Sequence, residues 1–552
     1  MKILFVVFLL LVSAMVFAEG ENINLTFTGK MPFAIFYKGE DISGTLSMNK
    51  TNEDNFGQAK LSFSFTDGFN NPIDVKVPDI VLSDENNWKS EIKLPEVNGY
   101  VKVKADCEFL RISPPQIQGT KEFSFSYAIV PNNYQDFKDV DSPFGICVGF
   151  NQAPALNDEM IVVGNVLKRL GIEYMRGGEP SLNDISIEVA KANKLCYMPV
   201  FTDMGKPTWD YFEKLKAEGV TKVDKWDFTP YIKDYGEYAK KYGDYIDYYD
   251  LCNEVGNSGF RVLWSFYKGN ASSVYFRWQE QIARLIKKYD KDAKTVWEDA
   301  GMFPQTRQAI LDNVDPDTID AISPHPYSLD RNCPYPEDMF ILEDYSLIRE
   351  FCRNHNFKQL PVIVGEIGFS SFNKDKYNEP GLYLYTAMDE YEQARLLVRA
   401  LVLHYAMGAE KIFYYQVGDG PDKAYCEHNF GILADVPQPK PSAVSYANLI
   451  HRVRGCEWMG RYYKLDGTFG FAYKKGSKAG LILWTKGNTR MYWVDGVKTP
   501  MEEIHLYDMY GNELPKPNKD ENNTVWVPIG PDPVYLEGIN VEDIQGLCLT
   551  DK

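Results

Sequence analysis

Among the 77 acidic residues of this 552-residue chain, two glutamates stand out by what precedes them. Glu254 follows an apolar run in Tyr-Tyr-Asp-Leu-Cys-Asn-Glu-Val-Gly, residues 248–256, and Glu366 follows another in Pro-Val-Ile-Val-Gly-Glu-Ile-Gly, residues 361–368. A carboxylate directly after a buried strand is costly unless something pairs with it or uses it. Either residue alone reads equally well as a solvated strand end. Two in matched contexts point to chemistry that needs a pair. Glycosidic cleavage is such chemistry: one carboxylic acid protonates the leaving oxygen, and one carboxylate meets the positive charge developing on the sugar. A metal centre would want His or further carboxylates beside these two. The chain has only six His, none in an HExxH spacing, so no metal and no cofactor are expected. A Gly-x-Ser-x-Gly elbow is also absent, which leaves a Ser-His-Asp hydrolase without support.

The elements that must position these residues lie between 143 and 454, where short apolar runs alternate with amphipathic segments. Strand candidates are 144–150, 172–176, 196–201, 245–252, 295–297, 321–323, 362–365 and 411–415. One intervening helix is explicit, since Tyr275, Trp278, Ile282, Leu285, Ile286 and Tyr289 recur on one helical face. Eight strands separated by helices imply an α/β fold of the (β/α)8 TIM-barrel type. A doubly wound open sheet is the competing topology, but its glycine-rich fingerprint is missing after the first strand. On the barrel reading Glu254 and Glu366 close the fourth and seventh strands. Those ends lie nearly opposite each other across the loop-built open face, so both side chains can reach one cleft.

Period-two alternation marks the flanks. Ile23/Leu25/Phe27, Leu61/Phe63/Phe65, Ile73/Val75/Val77, Val101/Val103/Ala105 and Phe123/Phe125/Tyr127 each put apolar residues on one strand face. An N-terminal β-sandwich over 19–130 follows, with 131–142 as a linker to the barrel at 143–454. Phe469/Phe471/Tyr473, Leu481/Leu483, Val525/Val527/Ile529 and Val534/Leu536 repeat the pattern in a C-terminal β-domain over 455–552. No spacer separates it from the last barrel helix, which suits a brace better than a mobile binding module. No aromatic strip identifies either flank as a glycan binder.

Residues 1–18 read as a signal peptide: Lys2, an apolar stretch, then Val16-Phe17-Ala18 before the cut. An uncleaved anchor is the alternative, but the stretch is short for a span. Cleavage removes Lys2 and leaves a secreted or periplasmic chain starting at Glu19, with no membrane insertion thereafter. The formal charge of −18 argues against nucleic acid and against anionic membrane surfaces. Nine Cys, none in a CxxC pair, give no zinc-ribbon or thioredoxin signal.

With these positions assigned, the barrel resembles glycoside hydrolase clan A. The resemblance is carried by Asn253-Glu254 at the end of the fourth strand, His325-Pro326-Tyr327 at the end of the sixth and Gly365-Glu366 at the end of the seventh. It covers 143–454 and not the flanks. It implies a retaining glycosidase acting on oligo- or polysaccharides, with Glu254 as acid/base and Glu366 as nucleophile. Asn253 would bond the sugar 2-hydroxyl, Tyr327 would donate to Glu366, His325 would line the same subsite, and Arg176 would sit beside the nucleophile. A guanidinium and a phenol there would stabilise the charged carboxylate, while Glu254, facing another anion, would hold its proton. The third strand lacks the His of many family 5 members, and residues 413–416 offer tyrosines where that family often has Trp. Families 5 and 39 come nearest, and both departures favour a family 39-like or more divergent member over a family 5-like one.

Other candidates are weaker. Tyr415 and Trp209, with Trp297 and Tyr414, could stack on pyranose faces, although Trp297 reads equally as core. Asp203, Glu298, Asp299 and Asp419 read first as loop acids or caps. His404 and His451 read as helix packing residues, and His428 as the one peripheral His whose loop could face the cleft. Two readings compete with hydrolysis: a non-catalytic glycan-binding barrel, and a transglycosylase using the same intermediate.

Overall fold

The structure, a computed structural model, describes residues 23–49, 56–112, 115–136, 141–148, 160–177, 185–201, 210–211, 214–215, 217–220, 225–251, 253, 271–298, 314–327, 335–338, 341–354, 359–373, 389–434, 438–462 and 467–549. The expected signal peptide at 1–18 lies outside them. Among the described residues no helix is long and apolar enough to cross a membrane.

The eight expected barrel strands are all present: Phe144–Cys147, Tyr174–Arg176, Cys196–Met198, Tyr248–Asp250, Lys294–Glu298, Ala321–Ser323, Val362–Ile367 and Ala409–Tyr414. They pair in parallel in sequence order, with the first also paired to the eighth. The third and fourth close the ring through backbone bonds on Asp250: its N–H donates to Pro199 at 3.0 Å and its carbonyl accepts from Phe201 at 2.9 Å. Four strands, the first to the fourth, are shorter than their apolar runs, which extend into the adjoining loops.

Every strand contributes to one interior cluster, Cys147, Tyr174, Met198, Tyr248, Val296, Ala321, Ile363 and Phe413, with Cys196 and Tyr415 packed against it. That cluster is a packed core rather than a pore. Gly145 makes room for it, since a Cβ there would lie 2.6 Å from the Phe413 ring. Outside the strands, helices including Ala271–Tyr289, Glu390–Ala406 and Pro441–Val453 bury their apolar faces against the sheet.

The N-terminal part is a sandwich of a three-stranded and a five-stranded sheet around its own core of Leu25, Phe27, Leu46, Leu61, Val103 and Phe125. Ile73, Val75 and Val77 do not form the expected strand. They pack against that core from an irregular segment flanked by Pro72 and Pro78, neither of which can donate to a ladder. The C-terminal part has a six-stranded and a three-stranded sheet around Leu481, Leu483, Val494 and Val527.

All three parts are tied together by buried polar contacts. Asn133, in the segment expected as a linker, is fully buried and donates to the carbonyls of Leu170 at 3.0 Å and Ala447 at 2.8 Å. Ser126 of the sandwich bonds Gln438 and Pro439 at 3.0 and 2.9 Å. On the other side Glu337 accepts two bonds from Arg399, at 2.7 and 2.6 Å, and one from Trp484 of the C-terminal sheet at 2.7 Å.

His404 lies wholly buried in the helix Glu390–Ala406, its Nδ1 3.3 Å from the Tyr345 hydroxyl. Burial pushes its pKa down to about 3 from an ordinary 6.5. The unfolded chain therefore binds the extra proton, and stability falls as pH drops from about 6.5 toward 3. This one group is expected to remove up to about 1.4 kcal/mol per pH unit across that window. Urea unfolding at stepped pH checks it: His404→Gln lowers stability at neutral pH but flattens the acid slope relative to the parent chain.

Candidate active site

The second strand ends on Arg176, the fourth on Asp250, and the seventh carries Glu366 one residue from its end. Parallel strands bring these ends to one face of the barrel. There the Arg176 guanidinium, 2% exposed, meets five side chains among the described residues, one of them Cys147, whose Sγ accepts from Nη1 at 3.9 Å. Its Nε donates to Asp250 Oδ2 at 2.8 Å. Nη1 donates to Glu366 Oε1 at 2.7 Å, and Nη2 donates to Asn253 Oδ1 at 3.0 Å. Nη2 also lies 3.3 Å from His325 Nε2. A guanidinium can only donate, so Nε2 accepts and the imidazole proton sits on Nδ1, the nitrogen 3.8 Å from Glu366 Oε2. The Tyr327 hydroxyl donates to that same Oε2 at 3.4 Å, the long end of hydrogen bonding.

The local sequence explains this convergence. Gly365, just before Glu366, has no side chain because a Cβ would lie 2.3 Å from Ser323 Oγ and 2.7 Å from His325 Nε2. The glycine lets the loop after the sixth strand close over the seventh. Below it, the Cys147 thiol donates to the Gly365 carbonyl at 3.3 Å. Burial, and then the nearby Glu366 charge, push that thiol well above its usual range, so it stays protonated and acts as a donor.

Electrostatically, one guanidinium faces two carboxylates. Asp250 is fully buried, whereas Glu366 keeps 13% of its side chain exposed. The buried acid anchors the arginine, and the exposed one has an edge open to the cleft. An aromatic wall stands beside it: Tyr327 and Tyr415 pack against Phe372, Cys426 and Phe430, with Tyr415 edge-on to Phe430 at 5.3 Å.

The structure thus gathers Arg176, Asn253, His325, Tyr327 and Glu366 around one point and sets Tyr415 nearby. Glu254 and Trp209 lie outside the described residues, as do Asp203 and Asp299. Tyr414 cannot stack on a sugar, because it is fully buried with its hydroxyl against the Phe369 carbonyl at 3.3 Å. Trp297 is core, stacked on Phe276 and bonded to the Thr318 carbonyl at 3.0 Å. Asp419 belongs to a buried ion pair with Lys440 at 3.2 Å and also accepts from the Gly431 N–H at 2.7 Å. His428 accepts from the Asp422 N–H at 3.1 Å, and His451 lies 3.1 Å from Asn133. Asp250 is the residue that sequence reasoning passed over. Its signal was an acid inside an apolar strand, which is tolerated only with a buried cation beside it. Among the described residues no cluster of three or more His, Cys, Asp or Glu side chains could hold a metal ion.

No protein-family model matches the chain, and none of the curated proteins matches it. Solved structures do match. A family 39 glycoside hydrolase from the gut symbiont Bacteroides cellulosilyticus WH2 superposes with a TM-score of 0.66 at 16% identity, over 93% of this chain and 99% of that one. The fold is shared along nearly the whole of both chains. A family 30 endoxylanase from Clostridium papyrosolvens C71 gives a TM-score of 0.46 at 11% identity, over 73% of this chain and 97% of that one. A family 30 subfamily 8 xylanase from Clostridium acetobutylicum gives 0.45 at 11%, with the same coverage of 73% and 97%. Likenesses of that strength are too weak to bear on the fold. The family 39 neighbour is the kind of relative that the clan A resemblance implies.

Removing Asp250 leaves the buried Arg176 guanidinium paired with Glu366 but short of its deepest acceptor, which costs about 1–3 kcal/mol. Asp250→Ala is expected to lose about that much in urea unfolding, and Asp250→Asn, which keeps an acceptor oxygen, less. A loss under about 1 kcal/mol for Asp250→Ala would show that Arg176 does not depend on this partner.

Proposed function

We propose that the chain is a retaining glycoside hydrolase, cleaving O-glycosidic bonds of oligo- or polysaccharides by double displacement. Glu366 is the nucleophile and Glu254 the acid/base. The observation that carries this reading is the carboxylate of Glu366, bonded on Oε1 by Arg176 and approached on Oε2 by Tyr327 at the loop end of the seventh strand. The fold shared with a family 39 glycoside hydrolase adds support.

The residues divide the work as follows. Arg176 grips Oε1 at 2.7 Å, so the looser Oε2 is the oxygen free to attack the anomeric carbon. Glu254 gives its proton to the leaving oxygen as the Glu366–sugar bond forms. Asn253 spends its Oδ1 on Arg176, which turns its amide nitrogen into the group that donates to the sugar 2-hydroxyl. On forming the glycosyl ester Glu366 loses its charge, and Arg176 is left with one anionic partner, Asp250. The excess negative charge of the resting cluster is thereby relieved in the intermediate. Water then attacks, Glu254 takes its proton, and Glu366 leaves as a carboxylate. Tyr415 supplies an aromatic wall of the sugar subsite, with Trp209 as a further stacking candidate.

Turnover of a panel of aryl glycosides tests the roles. Glu366→Gln is expected to lower kcat/KM by about 10⁴-fold or more, and undiminished turnover would remove it from the mechanism. Glu254→Gln is expected to lose about 10²–10⁴-fold on poor leaving groups and less on activated ones. The first-formed sugar, read by NMR, retains its anomeric configuration; an inverted product would refute double displacement. Export is part of the same proposal: the mature chain begins at Glu19, which mass spectrometry of the secreted protein reads directly.

A further inference from the structure

We propose that the outer face of the three-stranded C-terminal sheet is a second carbohydrate-binding site, a tryptophan platform for neutral polysaccharide. Its strands are Arg490–Val494, Val525–Ile529 and Asn518–Lys519. Alternation splits them sharply. Tyr492, Val494, Val525, Val527 and Ile529 are buried in the domain core, and Met491 and Trp493 point the other way, 50% and 36% exposed. Directly opposite them in the antiparallel ladder stand Pro528 and Trp526, so all four share one face. The two indoles lie 6.0 Å apart, tilted by 39°. Asn518, exposed and paired with Trp526, adds a side-chain amide at the edge, and Trp526 Nε1 donates to Asp520 at 3.3 Å.

A cross-strand Trp pair stabilises a strand pair by itself, but that role does not explain the exposed Met491 and Pro528 that extend the same surface. The other exposed large apolar side chains among the described residues, such as Val81, Ile117 and Tyr289, lie on separate elements. Partly exposed indoles edged by amide and carboxylate side chains fit sugar rings, which present C–H faces and hydroxyl rims. Charge selects among occupants. No charged side chain interrupts the four-residue strip, and a chain carrying −18 repels polyanions and a second copy of itself. The tryptophans come from segments far apart in sequence, so no strip was visible before folding. The choice of a glycan rests on the glycosidase reading above.

The test uses the full chain carrying Glu366→Gln, run in native gels containing wheat arabinoxylan, barley β-glucan or konjac glucomannan. At least one gel is expected to retard it. Adding Trp493→Ala and Trp526→Ala is expected to weaken that binding about tenfold or more. Met491→Lys, which spares the Trp pair, is expected to weaken it severalfold; melting curves confirm that each variant folds. Retardation in none of the gels, or retardation unchanged in the Trp variants, overturns the platform. So does a dimer in light scattering that Met491→Lys dissociates. With Glu366 intact, the platform variants should hydrolyse small aryl glycosides at the parent kcat/KM, because such substrates need only the barrel. Retardation without any hydrolysis would sink the glycosidase reading and leave the platform standing.

Discussion

A single buried guanidinium organises both the barrel and its open face. Arg176 has left water almost completely, a loss repaid only when its donors find well-placed partners. Asp250 supplies the permanent one. The same residue also carries the backbone bonds through which the third and fourth strands close the ring. The seam of the barrel and the anchor of the arginine are therefore one amino acid, and the position of Glu366 is inherited from that closure. Small residues complete the arrangement: Gly145 admits Phe413 to the interior, and Gly365 admits the His325 loop above the seventh strand.

Charge imbalance gives the cluster its direction. Around this arginine two carboxylates share one guanidinium. The deeper anion is satisfied and inaccessible, whereas the shallower one is held firmly on one oxygen and loosely on the other. This asymmetry follows from depth alone, since both acids meet the same guanidinium.

Much of this architecture was legible in the sequence. Apolar runs located all eight strands, because an all-parallel sheet covered on both faces demands continuous hydrophobic segments. Residue types near their ends, read with the family resemblance, picked out Arg176, Asn253, His325, Tyr327 and Glu366. Three things were not legible, for physical reasons. Apolar alternation in Ile73, Val75 and Val77 suggested a strand, but proline at either side denies the ladder its donors. Adjacent residues of a strand face opposite ways, so Tyr414 and Tyr415 could not both serve a cleft, and periodicity without a register does not say which one does. Asp250 sat inside an apolar run, where its partner, 74 positions earlier, becomes visible only once the strands are aligned.

The joint at Glu337 has its own consequence. This carboxylate is sealed between Arg399 of a barrel helix and the indole N–H of Trp484 in the C-terminal sheet, both fully buried. Accessory domains joined by loose tethers can be swapped between enzymes over evolutionary time. Here such an exchange would uncover an acid–base couple that has no hydration shell of its own, so barrel and appendage must descend as one heritable unit.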